Sequence, residues 1–152
     1  IGEAFMKSVY ELALEFKKRH PFTIGWRIRQ NSSVVEKHLN ADEHVLYAFV
    51  AQKNNNPFNI LGTAVIALTN KRILIGRKRV VIGYFLNSIT PDMFNDLKVT
   101  SGILWGKIYI DTVKEFIALS NISKDALAEI ENAISSYMME EKKKYGTNPI
   151  QK

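Results

Sequence analysis

Apolar side chains recur at Phe5, Val9, Leu12 and Phe16, with Lys7, Glu11, Glu15 and Lys18 between them. Steps of four, three and four put that set on one face of a helix over Glu3 to Arg19. Pro21 stops it, because proline lacks the amide hydrogen that would continue the ladder. The stretch PFTIGWRIRQN then reads as a connector. Ser33 and Glu36 have capping-box spacing and open a short second helix through Val34, Val35 and Leu39, for which Asn40 is a left-handed terminator.

From His44 the period changes. Segments 44–52, 61–69, 72–77, 80–86, 103–110 and 113–119 are short, rich in Val, Ile, Tyr and Phe, and separated by turn residues, which is the signature of strands. In the last of them Val113, Ile117 and Leu119 share a face. A weaker strand over 97–100 brings the number to seven. Asn54-Asn55-Asn56-Pro57 is a loop, since proline cannot donate to a central ladder. After Ser123, a good N-cap followed by Asp125, Leu127, Ile130, Ile134 and Met138 trace a closing helix whose outer side carries Glu129, Glu131 and Ser135. The tail EEKKKYGTNPIQK is polar and reads as fraying.

At 152 residues and 46% apolar composition, the chain can build one substantial core with appendages. The divisions are a helical extension over 1–40, a strand-rich domain with its closing helix over 41–143, and a tail over 144–152. Without cysteine, disulfides, thiolate metal sites and cysteine nucleophiles are excluded, which fits a reducing compartment. A net charge of +6 tilts mildly toward acidic partners. The longest mostly apolar stretch, Ile60 to Leu68, is far shorter than the roughly 20 residues of a membrane-spanning helix. The first residues do not read as a secretory leader, and none is expected. The expected location is the cytoplasm, with peripheral membrane contact as an option.

An antiparallel meander of seven strands must close or be covered to hide its edges, and a barrel plugged by the final helix satisfies that. The segments VVEKHLNADEHVLYAFVA, VIALTNKRILI and GKIYIDTVKEFIAL, in that order and followed by the closing helix, resemble a bacterial pleckstrin-homology-like (PH-like) domain over about residues 34 to 140. Thr-Asn-Lys-Arg between two apolar strands carries the most specific part of the resemblance. It implies an α+β, mainly β fold: a seven-stranded antiparallel barrel capped by a C-terminal helix, here with an N-terminal helical extension. It also implies a non-catalytic binding or assembly module, although this fold hosts lipid, peptide and protein binding alike.

In a meander, successive turns lie at opposite ends of the sheet. Asn70-Lys71 therefore belongs to one rim and Arg77-Lys78-Arg79 to the other, separated by a six-residue strand of roughly 17 to 20 Å. At the first rim Asn70 suits a left-handed hairpin position, and Lys71 and Arg72 are read as solubilising an exposed strand end. At the second, the loop QKNNNPFNI joins Arg77, Lys78 and Arg79, and the turn at Asp111 is placed beside them. The resemblance implies that Lys53 and the Arg77 to Arg79 triplet stand where lipid-binding members of the wider superfamily clasp an inositol phosphate. Those members also carry basic residues at the start of the second strand, where this chain has Leu61-Gly62-Thr63-Ala64 and Asp111 subtracts charge nearby. Weak, non-specific adhesion to anionic lipid is the expectation for this rim.

No catalytic signature is present: G-x-S-x-G, a Walker loop and G-x-G-x-x-G are all missing. No cofactor or metal is expected. His38, Asp42, Glu43 and His44 cross from a helix end to a strand start, where no regular face gathers ligands, so the segment reads as a solvated junction. The basic and aromatic run Trp26-Arg27-Ile28-Arg29 is a second candidate interaction surface if its apolar members are exposed. Protein binding or self-association, including a homo-oligomer, is the first expectation, and weak binding of anionic membrane is the alternative. Nucleic acid ranks below both, because most strand aromatics are more economically core than stacking platform.

Overall fold

The computed structural model describes residues 6–53 and 62–146. The chain runs α1 (Val9–Arg19), α2 (Ile28–Lys37), β1 (Val45–Gln52), β2 (Thr63–Thr69), β3 (Ile73–Lys78), β4 (Tyr84–Ile89), β5 (Phe94–Ser101), β6 (Trp105–Thr112), β7 (Phe116–Ser123) and α3 (Leu127–Gly146). All strand pairs are antiparallel, in the order β4-β3-β2-β1-β7-β6-β5. Two meanders, β1–β4 and β5–β7, meet among the described residues at the pair Gln52 and Ser120, giving a curled half-barrel. The helix α3 sends Ile130, Ile134 and Met138 into the core, beside Ile108, Ile110 and Leu119 of the sheet. The expected PH-like architecture is the one observed.

The N-terminal helices share that core. Val9, Ala13 and Phe16 of α1 and Val35 of α2 are fully buried with it. Phe16 packs tilted against Phe49 of β1 at 6.0 Å. A side chain at Gly76 of β3 would collide with Val35, its Cβ falling 2.7 Å from Cγ2, so this glycine lets α2 lie directly on the strand.

Both early helices differ from the sequence expectation. Helix α1 begins at Val9, one residue after Ser8, whose hydroxyl accepts from Glu11 N–H while Glu11 returns the bond to Ser8 N–H. This is the true capping box; Glu3 and Phe5 lie outside the described residues. Helix α2 starts five residues before Ser33, which is mid-helix and donates to Gln30 O. The Glu36 carboxylate accepts instead from Val9 N–H at 2.9 Å, so it caps the neighbouring helix rather than its own. Asn40 is not left-handed; among the described non-glycine residues only Arg27 and Asn121 have positive φ.

Three strands start later than their apolar content suggests: β4 at Tyr84, β6 at Trp105 and β7 at Phe116. Val80 to Ile82, Ile103-Leu104 and Val113 instead form turns and are exposed. β-Branched residues look the same in a list whether they pack in a sheet or crown a hairpin, so composition could not separate the two. The Asp111 placement also changes. The β6–β7 turn is tied to the segment joining β4 and β5 through Val113 N–H to Met93 O at 2.9 Å, and to β4 itself through Asn87 Nδ2 to Glu115 Oε2 at 3.0 Å. β4 runs from Tyr84, opposite Lys78, to Ile89, opposite Ile73, so a turn tied to the segment after Ile89 lies at the end away from Arg77 to Arg79.

The Thr-Asn-Lys-Arg motif is a clamp on the entry to β1. Thr69 Oγ1 donates to Glu43 Oε2 and accepts from the Lys71 and Arg72 amides. Asn70 Oδ1 accepts from His44 N–H, and its Nδ2 donates to Asp42 O. Lys71 pairs with Asp42 at 2.9 Å. Arg72 is not a solubilising end residue: it is largely buried on Glu43, whose side chain is wholly buried. The junction around Glu43 is therefore a packed polar centre and not a solvated one.

Candidate functional site

The far end of β3 is where the sequence placed its basic rim. Gly76 turns toward α2, so Lys78, two residues on, shares that side, while Arg77 and Arg79 project to the other. Arg77 lies over the Phe85 ring at 4.4 Å and Arg79 over the same ring at 5.5 Å. One phenyl ring from the partner strand thus braces two guanidinium groups. Burial, and after it the Arg79 charge, pushes the Arg77 pKa below its ordinary value.

Beyond these residues the hairpin ends in Val80-Val81-Ile82. Arg79 N–H bonds to Gly83 O at 2.9 Å, and Gly83 takes φ +89°, a conformation that suits glycine. The tip stands in solvent: Val81 is 87% and Ile82 79% exposed. Three apolar side chains thus crown three consecutive cations.

Asn31 holds this rim open, and the sequence reading missed it. The β2–β3 ladder stops at Val65 and Gly76; continued in the same register, it would pair Ala64 with Arg77 and then Thr63 with Lys78. The buried Asn31 amide enters there, its Nδ2 donating to Thr63 O at 3.0 Å and its Oδ1 accepting from Lys78 N–H at 2.9 Å. A side-chain amide completes a ladder that two backbones have left. The available signal was an asparagine on the stripe Ile28, Asn31, Val35, at helical steps of three and four.

Lys53 follows β1 and bonds through its N–H to Gly62 O. It stands at the same end as Thr63 and Lys78. The loop residues 54–61 lie outside the described residues.

The second candidate run is divided by the fold. Trp26 is exposed, and Arg27, in the left-handed conformation, donates from Nη2 to Arg79 O at 3.4 Å. Ile28 packs against the core, and Arg29 turns back over the Tyr10 ring at 4.7 Å. Of this run, Arg27 reaches the rim, while Trp26 lines the groove beside Phe22 and Trp105.

The connector Pro21 to Arg27 crosses this end of the barrel. Ile24 N–H bonds to Asn121 O, and Thr23 Oγ1 accepts from Ser123 N–H, both at 2.9 Å. Gly25 lies so close to Val50 that a Cβ would fall 2.2 Å from Cγ1. Lys17 reaches from α1 to the carbonyls of Pro21 and Thr23, and burial lowers its pKa. At the far side Trp105 Nε1 donates to Phe22 O at 2.8 Å, and its ring stacks on Phe22 at 5.2 Å. An open groove of about 370 Å³ lies along this connector.

Residues 39–136 match the family described as Bacterial PH domain. The chain belongs to that family. Its curled seven-stranded sheet and closing helix are the PH-like fold, and domains of this kind are in general non-catalytic binding modules. No curated protein matches the sequence.

Away from the rim, several polar groups of this PH domain serve its own architecture. His38 bonds Val34 O and the Tyr84 hydroxyl, Asp42 holds Lys71, and Glu43 holds Arg72. No group of three or more His, Cys, Asp or Glu able to hold a metal occurs among the described residues. Glu129, placed on the outer face by the sequence pattern, instead joins α3 to α1: it accepts from Arg19 Nη2 at 2.8 Å, His20 Nε2 at 2.9 Å and the Tyr47 hydroxyl at 2.6 Å. Burial works against its charge, but these three donors outweigh it and hold the carboxyl down at about 2. Among the described residues, no helix is long and apolar enough to cross a membrane.

Proposed function

We propose that this PH domain is a peripheral docking module that seats its β3–β4 rim on an anionic phospholipid surface. The observation that carries the reading is the bare Val80-Val81-Ile82 tip directly above Arg77, Lys78 and Arg79. An apolar tip of this kind gains about 1.5 to 3 kcal/mol for each side chain that leaves water completely. Cations at an anionic leaflet add on the order of 1 kcal/mol each. The order of the residues fits the order of the bilayer, with apolar groups beneath the head groups and cations at phosphate level. The sum resembles the marginal, reversible attachment given by one acyl chain, so the domain is an adhesive module and not a permanent anchor.

Co-sedimentation with phosphatidylcholine vesicles, with and without phosphatidylserine, tests the reading. Binding that requires the anionic lipid, weakens as salt rises and drops in R77A/R79A is expected. No binding, or binding indifferent to both charge and salt, overturns it.

The second reading, a protein partner or a second copy of the chain, draws on β4. It ends the strand order and carries exposed Tyr84 and Phe85, and such edges can pair with another chain. Light scattering that gives a monomer at every concentration removes the self-association form of this reading.

A further inference from the structure

We infer that the membrane contact has two prongs: the β5–β6 turn, Ile103-Leu104, enters the bilayer together with the β3–β4 tip, and the connector between them lies at the interface. This inference rests on the rim being membrane-facing and adds the plane in which it docks. Ile103 is 91% exposed and Leu104 also projects, on a turn closed by Gly102 N–H to Trp105 O at 2.9 Å. The connector ties the two turns together. It is fixed to the base of one by Phe22 and Trp105 and to the base of the other by Arg27 and Arg79. Five peptide steps separate Phe22 from Arg27, a reach of at most about 18 Å. Both apolar tips therefore project from one end of the barrel, a short distance apart, over a strip held in place by Lys17, Thr23 and Ile24.

That strip has interfacial chemistry. Phe22 and Trp26 are exposed, Trp105 lies partly open beneath Phe22, and Arg27 stands among them. Aromatic rings with a polar edge settle at head-group depth, while Val81, Ile82, Ile103 and Leu104 have no polar atom in their side chains and go deeper. A narrow partner groove would match one tip. Two separated tips with cations and aromatics between them match a broad, soft and anionic surface, which is a lipid leaflet.

Trp26 and Trp105 are the two tryptophans of the chain, so intrinsic fluorescence reports on the strip without a label. Vesicles of phosphatidylcholine and phosphatidylserine are prepared with and without brominated acyl chains, and W26F separates the two signals. A blue shift and bromine quenching are expected on binding. I103D is expected to weaken partition roughly ten-fold, the equivalent of one apolar side chain lost from the bilayer, and so is V81D. Unchanged partition in I103D and in the milder I103S, with V81D impaired and no quenching, overturns the second prong and leaves the rim reading standing. No binding by the wild-type protein overturns both. Far-ultraviolet circular dichroism and melting of each variant verify that the fold is retained.

Discussion

Arg72 and Glu43 meet as a fork: Nε donates to one carboxylate oxygen and Nη2 to the other, both at 2.9 Å. Two further guanidinium N–H groups donate to Ser88 Oγ and His38 O. The pair thereby binds β3, β4, the end of α2 and the entry to β1 into one unit. Burial opposes the Glu43 charge, but Arg72, Thr69 and the Asn40 amide hold its pKa below the ordinary value. Removing one member leaves the other charge buried without its counter-ion, a loss of about 3 to 5 kcal/mol. Lysine cannot reproduce the fork. R72A and R72K should both lower the urea midpoint strongly; an R72K midpoint equal to wild type would refute this role.

The Glu129 cluster gives a pH signature. Its carboxyl has an ordinary value of 4.5 and is held at about 2 in the fold, so the unfolded chain takes up the proton first as pH falls. The stabilisation is complete above about pH 4.5 and disappears as pH drops toward 2. Urea unfolding followed from pH 7 to pH 2.5 should show a flatter acid slope for E129Q than for wild type. At pH 7 the same substitution should cost about 1.5 to 3 kcal/mol, since it weakens hydrogen bonds to a charged group. Parallel acid slopes would contradict the assignment.

Asn31 makes a local prediction. N31L retains helix propensity and removes the amide that joins Thr63 O to Lys78 N–H. A loss of about 1 to 3 kcal/mol follows from removing buried hydrogen bonds. Hydrogen exchange should quicken at Lys78 and in the β3–β4 hairpin more than in β6 and β7. Uniform quickening across both meanders would count against a rim-specific function for this residue.

Gly106 sets the seat of α3. A Cβ there would lie 2.3 Å from Leu127 Cδ1, and overpacking of this kind costs about 1 to 3 kcal/mol. G106A should melt below wild type, and L127A in the same chain should recover part of the loss. An additive double variant would show that the contact is not shared.

The sequence made the order of elements legible, because amphipathic helices and β-branched strands leave different periods, and Thr-Asn-Lys-Arg pointed to the right fold. It pointed there through a mechanism that spacing does not reveal. Each residue of the motif grips a segment about 26 to 34 positions away, and Arg72 looks in the sequence like any strand-end cation. The basic rim was legible as charge. Its crown was not, since Val80 to Ile82 count as strand until Gly83 is known to turn the chain. The connector looks like a mere link in the sequence because its anchors are tertiary: Asn121, Ser123, Trp105 and Arg79 are all distant in sequence. The start of helix α2 leaves no mark in the sequence because Arg27 enters it without a side-chain cap.

The most direct measurement is the partition of V81S/I82S onto phosphatidylserine-containing vesicles at moderate salt, compared with wild type. Neither side chain supports the fold, since both stand in solvent. A loss of partition by at least roughly ten-fold, with an unchanged melting temperature, is the predicted result. Partition equal to that of the wild type would contradict insertion of the tip and, with it, the membrane-facing account of this rim.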